Sequence, residues 1–117
     1  MAAKDTLGKN GEERAVLYLQ ERGYQLIDRN WRCSQGEIDI IVQRGDETVF
    51  VEVKTRSTVA FGHPFEAITA AKLARLKRLT ATWCAQADGP VYRVRLDAVA
   101  VIGADDDAVV EHLAGVG

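Results

Sequence analysis

Residues 36–56 have the sequence GEIDIIVQRGDETVFVEVKTR, which predicts two short β-strands joined by a tight turn. Acidic and aliphatic residues alternate from Glu37 to Ile41, and valines alternate with larger or charged residues from Val49 to Arg56. Alternation at period two is typical of a strand with one apolar face. The dipeptide Gly45-Asp46 fits a two-residue turn that needs positive φ, so the stretch is predicted to form a β-hairpin.

The length of the turn sets which side chains face each other. A two-residue loop places Asp39 opposite Glu52 and Glu37 opposite Lys54. Directly opposed side chains have Cβ atoms about 4.5–5.5 Å apart, where like charges cost roughly 0.2–1 kcal/mol. A divalent cation would compensate, since Mg²⁺ is commonly held by one or two carboxylates together with water and phosphate. A three-residue loop would instead place Val53 opposite Asp39, unless a bulge restored the phase.

Length and composition bound the class of protein. The 117 residues predict one domain, 1–117, with a core over about 6–102 and a C-terminal extension over 103–117. The chain is 47% hydrophobic and 27% charged, as in ordinary globular proteins, and its net charge of −2 gives no overall attraction for nucleic acid. No stretch approaches the roughly 20 apolar residues of a membrane span, and no signal peptide is visible. We therefore expect a cytoplasmic protein that does not bind membranes and whose two cysteines stay reduced.

The rest of the chain supplies helices on either side of the hairpin. Because a helix separates the second hairpin strand from the next strand, those two strands are predicted to be parallel. The order α-β-β-β-α-β predicts a single α/β domain with a mixed sheet flanked by helices. The predicted elements are a helix over 6–22, a strand over 24–32, a loop over 57–64, a helix from Pro64 or Thr69 to about Ala87, a strand over 91–102, a polar turn at 105–107, and a strand or helical turn over 109–113.

Basic residues are concentrated after the hairpin. Between Lys54 and Arg78 there are six lysines and arginines and one acid, Glu66. This segregation predicts contacts to a phosphate backbone, although a charged run on a helix is also typical of a solvated face. The residues predicted to bind nucleic acid are Arg56, Lys72, Arg75, Lys77 and Arg78.

The first predicted helix carries two small residues, Gly11 and Ala15, which suggest close packing on a neighbouring element. If that neighbour is the hairpin, Glu12 points toward the acidic face. A first-turns acid that only complements the helix dipole is the alternative.

The residues Glu37, Asp39 and Glu52-Val53-Lys54 resemble the D-(x)n-E-x-K core of the PD-(D/E)xK nuclease superfamily. More closely, the chain from about Gly8 to Val101 resembles the YraN family, small bacterial proteins predicted to be related to archaeal Holliday junction resolvases. The motifs that carry this resemblance are Gly11-Glu12, the block 36–41, the block 50–56, Phe61-Gly62 and Lys72.

The resemblance implies a restriction-endonuclease-like fold and a role for each motif residue. Asp39 and Glu52 would be ligands of Mg²⁺ or Mn²⁺, with the carbonyl of Val53 as a further ligand. Lys54 would act beside the attacking water. Glu12 would match the acid that the first helix of resolvases contributes to the active site, and Glu37, with Glu12, could support a second metal ion.

The function implied is that of a metal-dependent endonuclease-like protein that hydrolyses DNA phosphodiesters, on double-stranded, branched or otherwise structured DNA. Two cuts on opposed strands would call for two sites and hence a homodimer. Two alternatives stay open: a non-catalytic nucleic-acid-binding module of the same fold, and a protein-interaction subunit.

Overall fold

The computed structural model of the chain describes residues 3–103 and 107–117, with side chains described from Asn10 onward. The predicted order α-β-β-β-α-β is confirmed, and a fifth strand follows it at the C-terminal end of the chain. The turn predicted at 105–107 lies mostly outside the described residues. The elements are α1 Ala3–Glu21, β1 Gln25–Cys33, β2 Gly36–Arg44, β3 Glu47–Arg56, a short 3₁₀ helix Pro64–Ala67, α2 Ala70–Gln86, β4 Arg93–Ile102 and β5 Val109–Leu113.

The five strands form one sheet in the order β1-β2-β3-β4-β5. β3 and β4 are parallel, as predicted for strands connected through a helix, and the other three neighbouring pairs are antiparallel. Residues 109–113 form a strand, not a helical turn, and this strand pairs with β4. The C-terminal segment therefore completes the sheet at one edge.

The hairpin has the predicted two-residue turn. Gly45 has a φ of +63°, a left-handed conformation that glycine adopts without steric cost. Arg44 pairs with Glu47, and the register runs in step to the pair formed by Ile40 and Val51. The predicted register is therefore correct through that pair, where the described β2–β3 pairing ends.

Both faces of the sheet are covered by a helix. On one face α1 packs against the three central strands, with Ala15 and Leu19 in one cluster with the valines of β3. On the other face α2 contributes Leu76 and Leu79, which pack against Phe50. Burying both faces explains why β3 and β4 carry apolar residues at successive positions, since a sheet covered on both sides has no solvated face.

Thr69 fixes where α2 begins. Its hydroxyl accepts a hydrogen bond from the backbone N–H of Lys72 at 3.2 Å, the usual arrangement of a helix N-cap. Pro64, the other predicted starting point, begins the short 3₁₀ helix instead. Lys72 consequently lies in the first turn of α2, next to the end of β3.

A buried polar network attaches β5 to the rest of the sheet. Asp97 of β4 is fully buried, and its two carboxylate oxygens each accept a hydrogen bond from Arg95 at 2.8 Å. His112 of β5 lies 2.6 Å from the same carboxylate, and the N–H of Gly115 donates to it at 3.0 Å. Arg95 also donates to the hydroxyl of Tyr24 at 2.7 Å. The network adds to the apolar packing of Ala108 and Val110 at this edge.

Two expectations about the environment of the chain can be compared with the described residues. Neither α1 nor α2 is long and apolar enough to cross a membrane. Cys33 and Cys84 are both free cysteines that border the apolar cluster under α2.

Candidate active site

Asp39 lies where β2 and β3 separate. Ile38 packs on the α2 side of the sheet and Ile40 on the α1 side, although strict alternation would place them on the same face. The alternation therefore breaks at Asp39. Its Oδ2 accepts a hydrogen bond from the backbone N–H of Val53 at 2.8 Å, so a side-chain carboxylate replaces a ladder carbonyl at this point.

Several acids act on Asp39. Burial, and next the neighbouring charge of Glu52, raise the pKa of Asp39 to about 7, and Glu12 and Glu37 shift it in the same direction. The hydrogen bond from Val53 opposes the shift without cancelling it. The structure thus brings together the four acids that the sequence placed in the candidate site.

Glu12 reaches this cluster because α1 approaches β3 closely. A Cβ atom at Gly11 would collide with the side chain of Thr55, so the small residue permits the contact. Burial, followed by the charge of Glu37, raises the pKa of Glu12. Its Oε1 is buried and has no hydrogen-bond partner among the described residues. Of the two interpretations of Glu12, the one that directs it toward the hairpin agrees with this geometry.

Glu37 has a different partner from the predicted one. The ladder between β2 and β3 has ended before this position, so Glu37 is not held opposite Lys54. Instead it faces Arg32 across the β1–β2 pairing and forms an ion pair with it at 2.8 Å. The charge of Glu37 nevertheless acts on both Asp39 and Glu12.

Lys54 forms an ion pair with Glu52, two residues earlier on the same face of β3. The Nζ–Oε1 distance is 3.2 Å, and the side chains are only 20% and 14% exposed. Lys72 adjoins this pair from the first turn of α2. The ammonium group of Lys54 therefore lowers the pKa of Lys72, and the charge of Glu52 opposes that effect. Two lysines therefore border the acidic cluster.

The predicted basic group does not form one patch. Arg75 lies against the β1–β2 turn at Gly36, on the flank of α2 that carries Lys72. Lys77 is on the opposite flank, beside Leu96 and the C-terminal residue. Arg56 and Arg78 are exposed.

The sequence placed Lys72 among the phosphate-binding residues and missed its contact with Lys54. One feature of the sequence could have indicated this contact. A lysine in the first turn of a helix opposes the helix dipole, and the first turn of α2 has no acid to offset it. A base at such a position is better explained by a neighbouring acidic group, here Glu52.

The acids could hold a divalent cation without forming a closed cage. Within residues 3–103 and 107–117, no three His, Cys, Asp or Glu side chains already stand in a complete metal-binding arrangement. Mg²⁺ usually keeps several waters and takes substrate phosphate oxygens as further ligands, so an open group of carboxylates suffices. The carbonyl of Val53 is also a candidate, since the N–H and C=O of one strand residue point toward the same neighbour.

A family model described as "Uncharacterised protein family UPF0102" matches residues 11–101. The chain belongs to this family. It is 54% identical to a UPF0102 protein of Arthrobacter sp. strain FB24 and 52% identical to one of Beutenbergia cavernae, with all of each chain covered. A UPF0102 protein of Leifsonia xyli subsp. xyli is 52% identical over 99% of each chain. The resemblance to the YraN family is thereby confirmed, and the matched UPF0102 segment contains the four acids, Lys54 and Lys72.

Proposed function

We propose that this UPF0102 protein is a metal-dependent endonuclease that hydrolyses DNA phosphodiester bonds, with branched or structured DNA as substrate. The observation that carries the proposal is the convergence of Glu12, Glu37 and Glu52 on a partly buried Asp39 whose pKa is about 7, beside Lys54. A perturbed acid flanked by like charges is costly to the fold and is common at functional sites. A divalent cation would offset the repulsion.

Asp39 and Glu52, with the carbonyl of Val53, would hold Mg²⁺ or Mn²⁺. The buried, unpartnered Oε1 of Glu12 supports a cation in this place, because a buried carboxylate oxygen without a partner is otherwise unfavourable. When bound, such an ion neutralises charge on the scissile phosphate and lowers the pKa of a coordinated water. Glu37 and Glu12 would support a second ion.

The side chains around the acids have separate tasks in hydrolysis. A water oxygen attacks phosphorus and releases a proton to bulk solvent, the bond to the leaving oxygen breaks, and that oxygen takes up a proton from solvent. Lys54 orients the water and stabilises the negative charge that develops on the phosphate oxygens. Lys72 adds a second positive charge at the same place. Arg56 and Arg75 hold flanking phosphates, which positions DNA without selecting a base sequence.

The test is a cleavage assay with Mg²⁺ or Mn²⁺ on linear, flapped and four-way DNA. We expect cleavage that is abolished by chelator, and a loss of about 10²-fold or more in Glu52→Gln and in Lys54→Ala. Glu66→Gln is the matched control, since it removes one exposed carboxylate from the short 3₁₀ helix. Equal cleavage by the wild type and both site variants would show a contaminating nuclease and would remove the site assignment.

A second candidate is a DNA-binding module that does not cleave. It is favoured by the 3.2 Å ion pair between Lys54 and Glu52, which engages one oxygen of a proposed metal ligand. This alternative predicts DNA binding that persists in chelator and no cleavage of any of the three substrates. If cleavage occurs on four-way DNA at two opposed strands, light scattering should show a homodimer, because one copy carries one site.

A further inference from the structure

A cavity lies at the C-terminal end of α2, apart from the acidic cluster. Its volume is about 340 Å³, and Trp31 of β1 and Trp83 of α2 both line it. That volume falls at the lower end of the range found for small-molecule sites. Gln43 of β2 also lines it, four residues along the strand from Asp39, which corresponds to roughly 13 Å. None of the described lining residues belongs to the acidic cluster, although Trp31 pairs with Ile38, next to Asp39.

The cavity has negative charges and no described positive ones. The carboxylates of Asp28 and Asp88 are part of its wall, whereas no lysine or arginine is found among its described lining residues. The other polar groups of the wall, among them Gln43, Thr48 and Gln86, are neutral. An anionic ligand would meet uncompensated repulsion here.

The end of α2 adds to this field. The helix ends at Gln86 with Ala87 as its C-cap, and both residues line the cavity. The carbonyl groups of a last helical turn carry partial negative charge, which favours cations nearby. The last turn of α2 contains no basic residue to neutralise that charge. The helix end and the two aspartates thus act in the same direction.

The indole rings of Trp31 and Trp83 supply the aromatic part of a cation site. Tryptophan is the side chain whose ring face attracts cations best, and a ligand cation over such a face is a recurrent mode of recognition. Trp83 is fixed in place by an edge-to-face contact with Phe50, with ring centroids 5.3 Å apart. Trp31 packs against the same apolar cluster. Two restrained indoles beside two carboxylates form a preorganised wall.

We propose that this cavity binds a small organic cation with an ammonium or guanidinium group. The positive charge of the ligand balances the negative charges of Asp28, Asp88 and the end of α2, and its carbon-bound hydrogens contact the indoles. The carboxylate of Asp28 already accepts a hydrogen bond from the backbone N–H of Arg29 at 2.8 Å, but no described basic side chain of the wall balances the charge of either aspartate. A neutral aromatic ligand would use the indoles and leave those two charges unbalanced. This inference is independent of the nuclease proposal, because none of the residues that carry it belongs to the acidic cluster.

The chain offers a direct readout, since Trp31 and Trp83 are its only tryptophans. Intrinsic fluorescence is titrated with tetramethylammonium and agmatine as free cations, and with N-acetylarginine amide as a protein-type side chain. Potassium chloride at matched ionic strength is the control ligand. We expect a saturable change in emission with at least one organic cation and none with potassium. Binding of the free amines would indicate a metabolite, and binding of the arginine derivative alone would indicate a partner protein.

Asp28 and Asp88 are both exposed, so the isosteric changes Asp28→Asn and Asp88→Asn should leave the fold intact. Circular dichroism checks this. Each should weaken binding by about fivefold or more. Asp46→Asn, at the β2–β3 turn outside the cavity wall, is the matched control and should bind as the wild type does. The proposal is overturned if no organic cation gives a saturable change, if potassium gives the same change, or if the double Asp28→Asn, Asp88→Asn variant binds with unchanged affinity.

Discussion

The backbone N–H of Val53 donates to Oδ2 of Asp39 at 2.8 Å, in the gap where β2 and β3 stop pairing. This bond fixes the orientation of the carboxylate and favours its charged form. Burial and the charge of Glu52 outweigh it, which leaves the pKa of Asp39 at about 7. The group is thus fixed in position, and it changes its protonation state near neutral pH.

The raised pKa of Asp39 makes stability depend on pH. Between about pH 4 and pH 7 the folded state binds more protons than the unfolded state, so the free energy of unfolding should fall as pH rises through this window. Asp39→Asn removes the penalty and should stabilise the metal-free protein by roughly 1–3 kcal/mol at about pH 8. Urea unfolding in chelator at several pH values measures this. Asp46→Asn, an exposed isosteric change, should keep the wild-type slope; the same slope in Asp39→Asn would contradict the prediction.

Metal binding should compete with protons at the same carboxylate. If Asp39 is a ligand, it must lose its proton before it binds Mn²⁺, so affinity should fall by up to about tenfold per pH unit below about pH 7. Calorimetry in two buffers with different ionisation enthalpies would detect the released proton. Glu52→Gln should weaken binding at every pH, whereas Glu66→Gln should not. Affinity that is independent of pH would remove Asp39 from the ligand set.

Gly11 should be essential for the approach of α1 to β3. Gly11→Ala would normally strengthen a helix, by about 1 kcal/mol. Here the added methyl group would collide with Thr55, and we expect a net loss of about 1–3 kcal/mol from overpacking. Asn10→Ala is the control, because Asn10 is exposed. Adding Thr55→Ala to Gly11→Ala should recover part of the loss, which chemical denaturation can measure; no recovery would mean that the collision is not the cause.

Much of this fold is visible in the sequence because its elements are locally specified. The turn at Gly45 and the alternation on both sides of it fix the hairpin register, and the helix between β3 and β4 fixes their parallel direction. The break at Asp39 is not visible in the sequence, because strict alternation would place Ile38 and Ile40 on one face, whereas they pack on opposite faces of the sheet. A period-two pattern therefore misplaced Glu37, whose partner is Arg32 on a strand that the pairing argument did not include.

Lys72 and Lys77 provide a matched pair on one helix. Lys72 adjoins Lys54 and Glu52, whereas Lys77 lies on the other flank of α2 beside Leu96. If the acidic cluster is the catalytic site, Lys72→Ala should reduce cleavage on the order of tenfold or more, because it removes a positive charge next to the reacting phosphate. Lys77→Ala should change the rate little. Single-turnover cleavage measures both, and equal losses would mean that the lysines act only through the overall charge of the helix.

The network at Asp97 should control how firmly β5 is attached. Although burial acts to raise it, hydrogen bonds from His112 and Arg95 lower the pKa of Asp97 to about 2. Its stabilising contribution, about 2 kcal/mol, is therefore present above about pH 4 and is lost as pH falls toward 2. Asp97→Ala should cost roughly 3–5 kcal/mol, because it leaves the partly buried guanidinium of Arg95 without its main partner.

The same change should have a local signature, since the carboxylate of Asp97 is the contact point for both His112 and the N–H of Gly115. Hydrogen exchange should accelerate in β5 of Asp97→Asn more than in β2, from which Asp97 accepts no described hydrogen bond. Tyr24→Phe is the milder control, because it removes one hydrogen bond to Arg95 and leaves the link to β5 in place. Unchanged exchange in β5 of Asp97→Asn would show that backbone pairing with β4 alone holds the edge strand, and that the buried charges do not contribute to its attachment.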